Sequence, residues 1–412
     1  MSLLKPPPCP DCGIAPVHHR MEYMAVLFDA TVHKVMKPLH ILGRFIMGPL
    51  LPLWDRMAPL VAKGMTRLGM GKILYQHDEH TQWRVRPLWE EARKRGITMY
   101  EFRPFGLPKD LFVARKGNWL RSFEGLPRPR NYRSASLDWM DDKARMRSEF
   151  IKAGTPVARG GVAYDVDGAI KLYRKISHVH EEVQNCSAEQ NGASIVVKPS
   201  HGSRSRHTYT GITSEKGLIA AFHKAKQLSP WVVVEEELQG MVYRGTLIGG
   251  KLQGVARREP AHVVGDGVHT IQELMNEENK NPLRKGPLFS KLDPDMPWLM
   301  ARGVIFNSAP RVGEVVILHP KISFVHGGGV VELLEHTHPD NVALMHTIGV
   351  LLNDAIVGVD FILGDITQSW RLQPRSGVIE CNSLPFIDMH HYVMKGIPKN
   401  VAGALWDLVG PQ

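Results

Sequence analysis

Apolar residues recur along the chain in short blocks, each closed by a charged or polar residue. Ser194-Ile195-Val196-Val197-Lys198-Pro199 reads as a buried strand ending in a lysine, and Val232 to Gly240 as a strand running into a polar hinge. Val357 to Ile362 is an apolar strand that carries Asp360, and Gly377 to Asn382 is the next strand. Side chains in a strand repeat every second residue, so Glu380 and Asn382 share one face. Between these blocks the pattern turns helical. Met140-Asp141-Asp142-Lys143 opens an amphipathic helix to about Lys152, which Gly154 and Pro156 close. Further helices are expected near 166–176 and 214–228. Thr270 to Glu273 has capping-box spacing, Pro339-Asp340-Asn341 opens a helix toward Ala355, and Asn400 caps a final helix reaching Leu408.

The first part of the chain reads differently. Residues 20–66 are helical in pattern, but Pro49 and Pro52 should break any single long helix. Apolar and basic residues alternate over 35–66. That suits a helix packed on the rest of the protein or at a dimer contact, with peripheral contact to a membrane surface as the alternative. Residues 72–134 form a small α/β unit, with strands at 72–75, 96–102 and 118–125 and a helix at 86–95. No stretch has the roughly 18 uninterrupted apolar residues of a membrane span, and no secretory signal is read, so the default location is cytoplasmic.

Hydrophobic content of 43% and charged content of 22% are ordinary for a soluble protein, and 412 residues leave room for two or three domains. A net charge of +10 makes the surface a funnel for anions. No aromatic-basic pattern for nucleic acid is found, so no nucleic-acid partner is expected. Four cysteines exclude a disulfide scaffold. Cys9-Pro10-Asp11-Cys12 resembles one zinc knuckle, with His18 and His19 close behind. A second Cys pair is absent, and Cys186 and Cys381 lie far along the chain. The reading taken is two solvent-exposed reduced thiols, with zinc as the alternative.

Two carboxylates and an amide oxygen on neighbouring strands, Asp360, Glu380 and Asn382, make a hard-oxygen set suited to Mg²⁺, with Mn²⁺ as a substitute. Upstream, Lys198 precedes a loop of small residues and arginines, Ser200 to Arg206, in which backbone and charge suit phosphate. In this order, and with Arg257-Arg258-Glu259-Pro260-Ala261-His262-Val263-Val264-Gly265-Asp266-Gly267 between them, residues 135–412 resemble the ATP-grasp superfamily. The branch is that of the ATP-grasp region of cyanophycin synthetase and bifunctional glutathione synthetases.

The resemblance implies an α/β (α+β) ATP-grasp fold, two lobes enclosing the nucleotide. A mostly helical extension, 1–70, and a degenerate pre-ATP-grasp domain, 71–139, precede a module at 140–412, with lobes of about 140–230 and 231–412. It implies an ATP-dependent carboxylate–amine ligase working through an acyl phosphate on small substrates, amino acids or peptides. A weakened nucleotide-binding regulator is the alternative, and a homo-oligomer is compatible with either. By the same resemblance Lys143, Lys198 and Arg206 meet phosphates, and Glu235, Glu236 and Leu238 form the adenine hinge. Arg244, Arg257 and Arg258 face the reacting phosphate, although only one of the last two can point inward from a strand. Asp360, Glu380 and Asn382 take the metal. Three positions depart from the family: Val242 stands where an acidic residue reads the ribose, the loop at 203–207 is poor in glycine, and Ser323 replaces an asparagine. His390 and His391 read as structural histidines, with a catalytic base as the alternative.

Overall fold

The computed structural model describes residues 6–411 apart from 8, 13–16, 131–138, 141, 185–193, 203–205, 286–287 and 323; for 29–30, 32–52, 179–184 and 285 it describes the backbone alone. The chain opens with helix α1, His19–Arg67, followed by β1 (Gly71–Leu74), α2 (Arg86–Lys94), β2 (Thr98–Pro104), β3 (Leu111–Lys116) and β4 (Trp119–Glu124). The helix runs through Pro49 and Pro52, which corrects the expected break. An interior proline removes one hydrogen bond and crowds the preceding turn. That cost of roughly 3 kcal/mol kinks a helix without ending it when long helical stretches on both sides hold. At about 1.5 Å per residue, α1 is roughly 74 Å long.

Strands β1 to β4 form an antiparallel meander in that order, and the C-terminal part of α1 lies against it. The contact is anchored by Asp55, buried on α1. Its Oδ1 accepts from the backbone N–H and the hydroxyl of Ser122, both at 2.7 Å, and it pairs with Arg130. Asp55→Ala would leave Arg130 and Ser122 without that partner. A loss on the order of 2–3 kcal/mol is expected in urea unfolding, reduced from a fully buried pair because Arg130 is partly wet. An unchanged midpoint would mean that α1 is an appendage. On the outer side Leu53, Trp54, Met57 and Leu60 are exposed. The rest of the expected contact region, 35–52, lies outside the described side chains. Among the described residues no helix is long and apolar enough to cross a membrane.

Next come α3 (Lys143–Lys152), β5 (Gly160–Ala163), α4 (Val166–Gln184), β6 (Ile195–Pro199), β7 (Tyr209–Ile212), α5 (Glu215–Ala225) and β8 (Val232–Glu236). Asp142 caps α3 by accepting from Ala144 N at 2.9 Å, and Ser214 caps α5. Beta-branched runs make the strands, which pair antiparallel in the order β5-β8-β6-β7. Helices α4 and α5 cover one face, burying Ile195, Val197, Phe222, Val232 and Val234.

The remaining elements are β9 (Met241–Ile248), β10 (Lys251–Glu259), β11 (His262–Val264), α6 (Ile271–Glu278), α7 (Met296–Ala301), β12 (Val315–Ile317), β13 (Gly329–Glu332), α8 (Pro339–Leu352), β14 (Ile356–Leu363), β15 (Gly377–Asn382), α9 (Asp388–His391) and α10 (Val401–Val409). The predicted capping box at Thr270 and the Asn400 cap are both present. A third antiparallel sheet, of five strands, runs β13-β10-β9-β14-β15, and β11 pairs with β12. Helix α10 packs on α2, where Trp406 Nε1 donates to Leu88 O at 2.9 Å. The core under the first meander is therefore continuous with Ile248 and Ile356 of the five-stranded sheet.

Residues 237–240 join β8 to β9 and so connect two sheets. Gly240 has φ 125°, and a Cβ there would lie 2.1 Å from Leu363 O, so only glycine fits this close passage.

Candidate active site

The five-stranded sheet has one dry face and one polar face. Tyr243, Leu247, Val255, Val357, Val359 and Phe361 alternate onto the dry face, where α8 covers them with Met345 and Ile348. Their neighbours point the other way. Asp360 on β14 is paired across the sheet with Arg244 on β9 and Glu380 on β15, and Gly358 with Asn382. Directly opposed residues share a face, so Arg244, Asp360, Glu380 and Asn382 stand together on the polar side. Arg258, two residues on from Ala256 in the same row, joins them.

Arg244 grips Asp360 with two parallel bonds of 2.5 Å, Nε to Oδ1 and Nη2 to Oδ2. Asn382 Nδ2 lies 3.4 Å from Asp360 Oδ2. Burial pushes the Glu380 carboxyl above its ordinary range; Lys143 opposes that push and Asp360 adds to it. Arg258 is held below its ordinary range, chiefly by burial, with Asp360 opposing and Arg244 reinforcing. Two buried guanidinium nitrogens, Arg244 Nη1 and Arg258 Nε, lack a hydrogen-bond partner among the described residues. Buried donors of this kind fit the oxygens of a phosphate, and a buried carboxylate beside Asp360 and Asn382 fits a hard cation. A cation there would share Asp360 with Arg244.

The strand register also separates the paired arginines. Arg257 lies opposite Tyr243 on the other face, and its Nη2 donates to Glu259 Oε1 at 2.5 Å. The arginine that faces the carboxylates is Arg258. Its Nη2 donates to Ile322 O at 3.1 Å, which ties it to the loop before β13.

The lysines come from the other sheet. Lys143 begins α3, and its Nζ donates to Gly202 O at 2.5 Å. Lys198 ends β6 and pairs with Glu235 on β8, both buried. The two lysines, Met146, Val157, Glu235 and Ile379 line one narrow cleft between the sheets.

The residues assigned to the hinge do other work with their side chains. Glu235 neutralises Lys198. Glu236 accepts from the Arg159 backbone at 2.7 Å and from its Nε at 2.9 Å, which ties β8 to the chain entering β5. Leu238 is buried. Arg375 clamps the hinge itself, donating twice to Glu237 O, at 3.1 and 2.6 Å. Arg206, assigned by resemblance to phosphate, lies close enough to Cys12 for its charge to act on that thiol. Val242 pairs with Arg258 and Ile362 and is half-buried. Ser323 lies outside the described residues.

His390 is fully buried between Glu332 Oε2, 2.7 Å from its Nδ1, and Thr246 Oγ1, 2.8 Å from its Nε2. A Cβ on Gly254 would come 2.4 Å from Nδ1, so the ring is seated against bare backbone. His391 Nε2 accepts from Ala402 N at 3.0 Å, and burial lowers its pKa to about 4. Both histidines are thus satisfied within the fold. Glu332 and Thr246 carry no sequence signal, since nothing local marks residues 58 and 144 positions away as partners of one histidine.

Asp388 is equally silent in the sequence. It is buried, its Oδ1 has no partner among the described residues, and burial raises its pKa to about 7 against the pull of Arg84 and Arg244. An unfolded aspartate titrates near ~3.9, so between about pH 4 and 7 the folded chain holds a proton that the unfolded chain has lost. Stability from this group therefore falls as pH rises through that window and stays low above it. Asp388→Asn removes the dependence, so the variant should gain on the wild type by on the order of a few kcal/mol between pH 5 and pH 8. Denaturant midpoints that move in parallel across this range would rule this out.

No protein-family profile matches the chain. It is 32% identical over 276 residues to the cyanophycin synthetase of Trichormus variabilis, an alignment covering 66% of this chain and 29% of that protein. It is 30% identical over 224 residues to the glutathione biosynthesis bifunctional protein GshAB of Clostridium perfringens, covering 53% of this chain and 27% of that one. Among solved structures, the bifunctional glutathione synthetase of Pasteurella multocida superposes with a TM-score of 0.58 at 21% identity, covering 80% of this chain and 43% of that chain. The chain thus spans less than a third of the length of each of these two curated relatives.

Proposed function

Because this chain is a member of the ATP-grasp superfamily, we propose that it is an ATP-dependent carboxylate–amine ligase. A substrate carboxylate oxygen attacks the γ-phosphorus of ATP, the bond to the β-phosphate oxygen breaks, and ADP leaves. The amine nitrogen then attacks the acyl carbon of the acyl phosphate, phosphate departs, and the nitrogen loses a proton as the amide forms.

The observation that carries this reading is one face holding Arg244, Arg258, Asp360, Glu380 and Asn382, opposite a cleft with Lys143 and Lys198. Lys143 and Lys198 hold phosphate oxygens, and Glu235 keeps Lys198 aimed into the cleft. Arg258, whose Nε–H has no partner among the described residues, stabilises the charge that builds on the transferred group. Asp360, Glu380 and Asn382 hold Mg²⁺, which neutralises phosphate charge when bound. Amino acids or peptides are the proposed substrates, since cyanophycin synthetase and glutathione synthetase are the relatives. The cytoplasm, where ATP is abundant, is the proposed location.

Phosphate release by the purified chain over a panel of amino acids and short peptides, with and without Mg²⁺, tests the reading. Release that needs Mg²⁺ and both a carboxylate and an amine supports it. No release with any pair, together with no binding of a non-hydrolysable ATP analogue, would sink it.

A further inference from the structure

The N-terminal segment brings a second chemistry into the fold. Cys9 and Cys12 sit on a single turn, in which Cys12 N donates to Cys9 O at 3.1 Å. His19 opens α1, and His207 follows the phosphate loop, 195 positions after Cys12. Cys12 is buried and Cys9 half-buried, which corrects the expectation of exposed thiols. Cys12 Sγ lies 3.2 Å from His19 Nε2 and 3.5 Å from His207 Nε2, and Cys9 Sγ lies 3.7 Å from His207 Nε2. The two imidazoles meet edge to face with centroids 4.7 Å apart. All four ligand atoms fall within 4.8 Å of one another.

From this geometry we infer that Cys9, Cys12, His19 and His207 bind one structural zinc ion. A tetrahedral zinc with Zn–S near 2.3 Å and Zn–N near 2.0 Å spaces its ligand atoms roughly 3.3 to 3.8 Å apart. The three sulfur–nitrogen distances, 3.2, 3.5 and 3.7 Å, fall within about 0.1 Å of that range. Two thiolates and two imidazoles are the Cys₂His₂ set, and four protein ligands close the coordination sphere, so the role is structural rather than catalytic. Binding sends two thiol protons to solvent and leaves the centre neutral.

The surroundings are built for a ligand. His207 Nδ1 lies 2.7 Å from Lys224 O, so Nδ1–H donates to that carbonyl and the Nε2 lone pair faces the thiols. His207 N donates to Asp11 O at 3.0 Å, and Lys224 Nζ lies 3.5 Å from Asp11 Oδ2. His207 holds a left-handed φ of 49°, which is unusual for a non-glycine residue and turns its ring toward the cysteines. Zinc here fastens the first residues of the chain to the sheet β5-β8-β6-β7, at the end of the loop after Lys198. The inference is independent of the ligase reading.

The test is metal analysis of the full-length chain, purified without a metal-affinity tag or chelator and under reductant. About one zinc per chain is expected. Cys9→Ser and His19→Ala should each lose it, while Cys186→Ser keeps it. Stripping the metal and adding Co²⁺ should produce the visible bands of tetrahedral cobalt with thiolate ligands, absent in Cys9→Ser. Chelation should also open a protease site within the first 20 residues, a readout that does not need the variants to fold well. Zinc-free protein from zinc-supplemented cells, another metal in its place, or zinc retained by both site variants would overturn the inference.

Discussion

Glu380→Gln should lower ATP turnover by about 10²–10³-fold while leaving the protein as stable as the wild type or more so. The stability half follows from burial. The Glu380 carboxyl is pushed up chiefly by desolvation, so the charge is a liability in the free protein that an isosteric amide removes. The activity half follows from the same charge, which only a bound cation repays. Asp360→Asn is a poorer probe. It breaks a two-bonded pair with buried Arg244 and should cost about 3–5 kcal/mol, mixing unfolding with lost chemistry. Steady-state phosphate release and a urea melt on Glu380→Gln separate the two effects. Turnover equal to wild type would remove Glu380 from the metal site.

Arg258→Ala should lower kcat/KM by about 10³-fold or more, the scale of an arginine that meets a transferring phosphoryl group. Arg257→Ala should change it by less than about threefold, because that side chain sits on the opposite face against Glu259. The comparison is sharper than either variant alone, since the two residues are neighbours of the same chemistry. Equal losses in both would mean that the register read from β9 and β10 does not govern the site.

Much of this site is legible in the order of residues alone. Strands β6, β14 and β15 are apolar runs with one charged residue in each, Lys198, Asp360 and Glu380, and β8 is a valine run that ends in Glu235 and Glu236. Period-two alternation by itself places Glu380 with Asn382. The choice between Arg257 and Arg258 is beyond it. Alternation says that the two diverge, and only pairing with Tyr243 and Val242 says which way. The side chains of the hinge glutamates are illegible for a related reason. The resemblance assigns the backbone of Glu235 and Glu236 to an adenine hinge and says nothing of their carboxylates, which the strand aims to opposite sides, where Lys198 and Arg159 meet them. The longest-range features are the least visible. The sequence shows a cysteine pair and two adjacent histidines, His18 and His19, but the structure brings only His19 to the cysteines, and the fourth member, His207, lies far along the chain, past the whole of the first meander. Proline misleads in the opposite sense, since its local propensity speaks louder than the length of helix on either side.

A rod held at both ends couples the bodies that it joins. Helix α1 starts beside His207 at the β5-β8-β6-β7 sheet and finishes against β1 and β4, with Asp55 as its far fastening. Any rocking of that first sheet against the rest of the molecule must bend this rod, stretch it or free an end. Stretching a hydrogen-bonded helix is stiff; bending is soft where a proline has already removed a rung of the ladder. Pro38, Pro49 and Pro52, all between the two fastenings, are therefore the softest points of this strut, and how far the cleft at Lys143 and Lys198 can gape should depend on them. Stiffening them, as in a Pro49→Ala, Pro52→Ala pair, would trade opening amplitude for rigidity while no residue in the cleft changes.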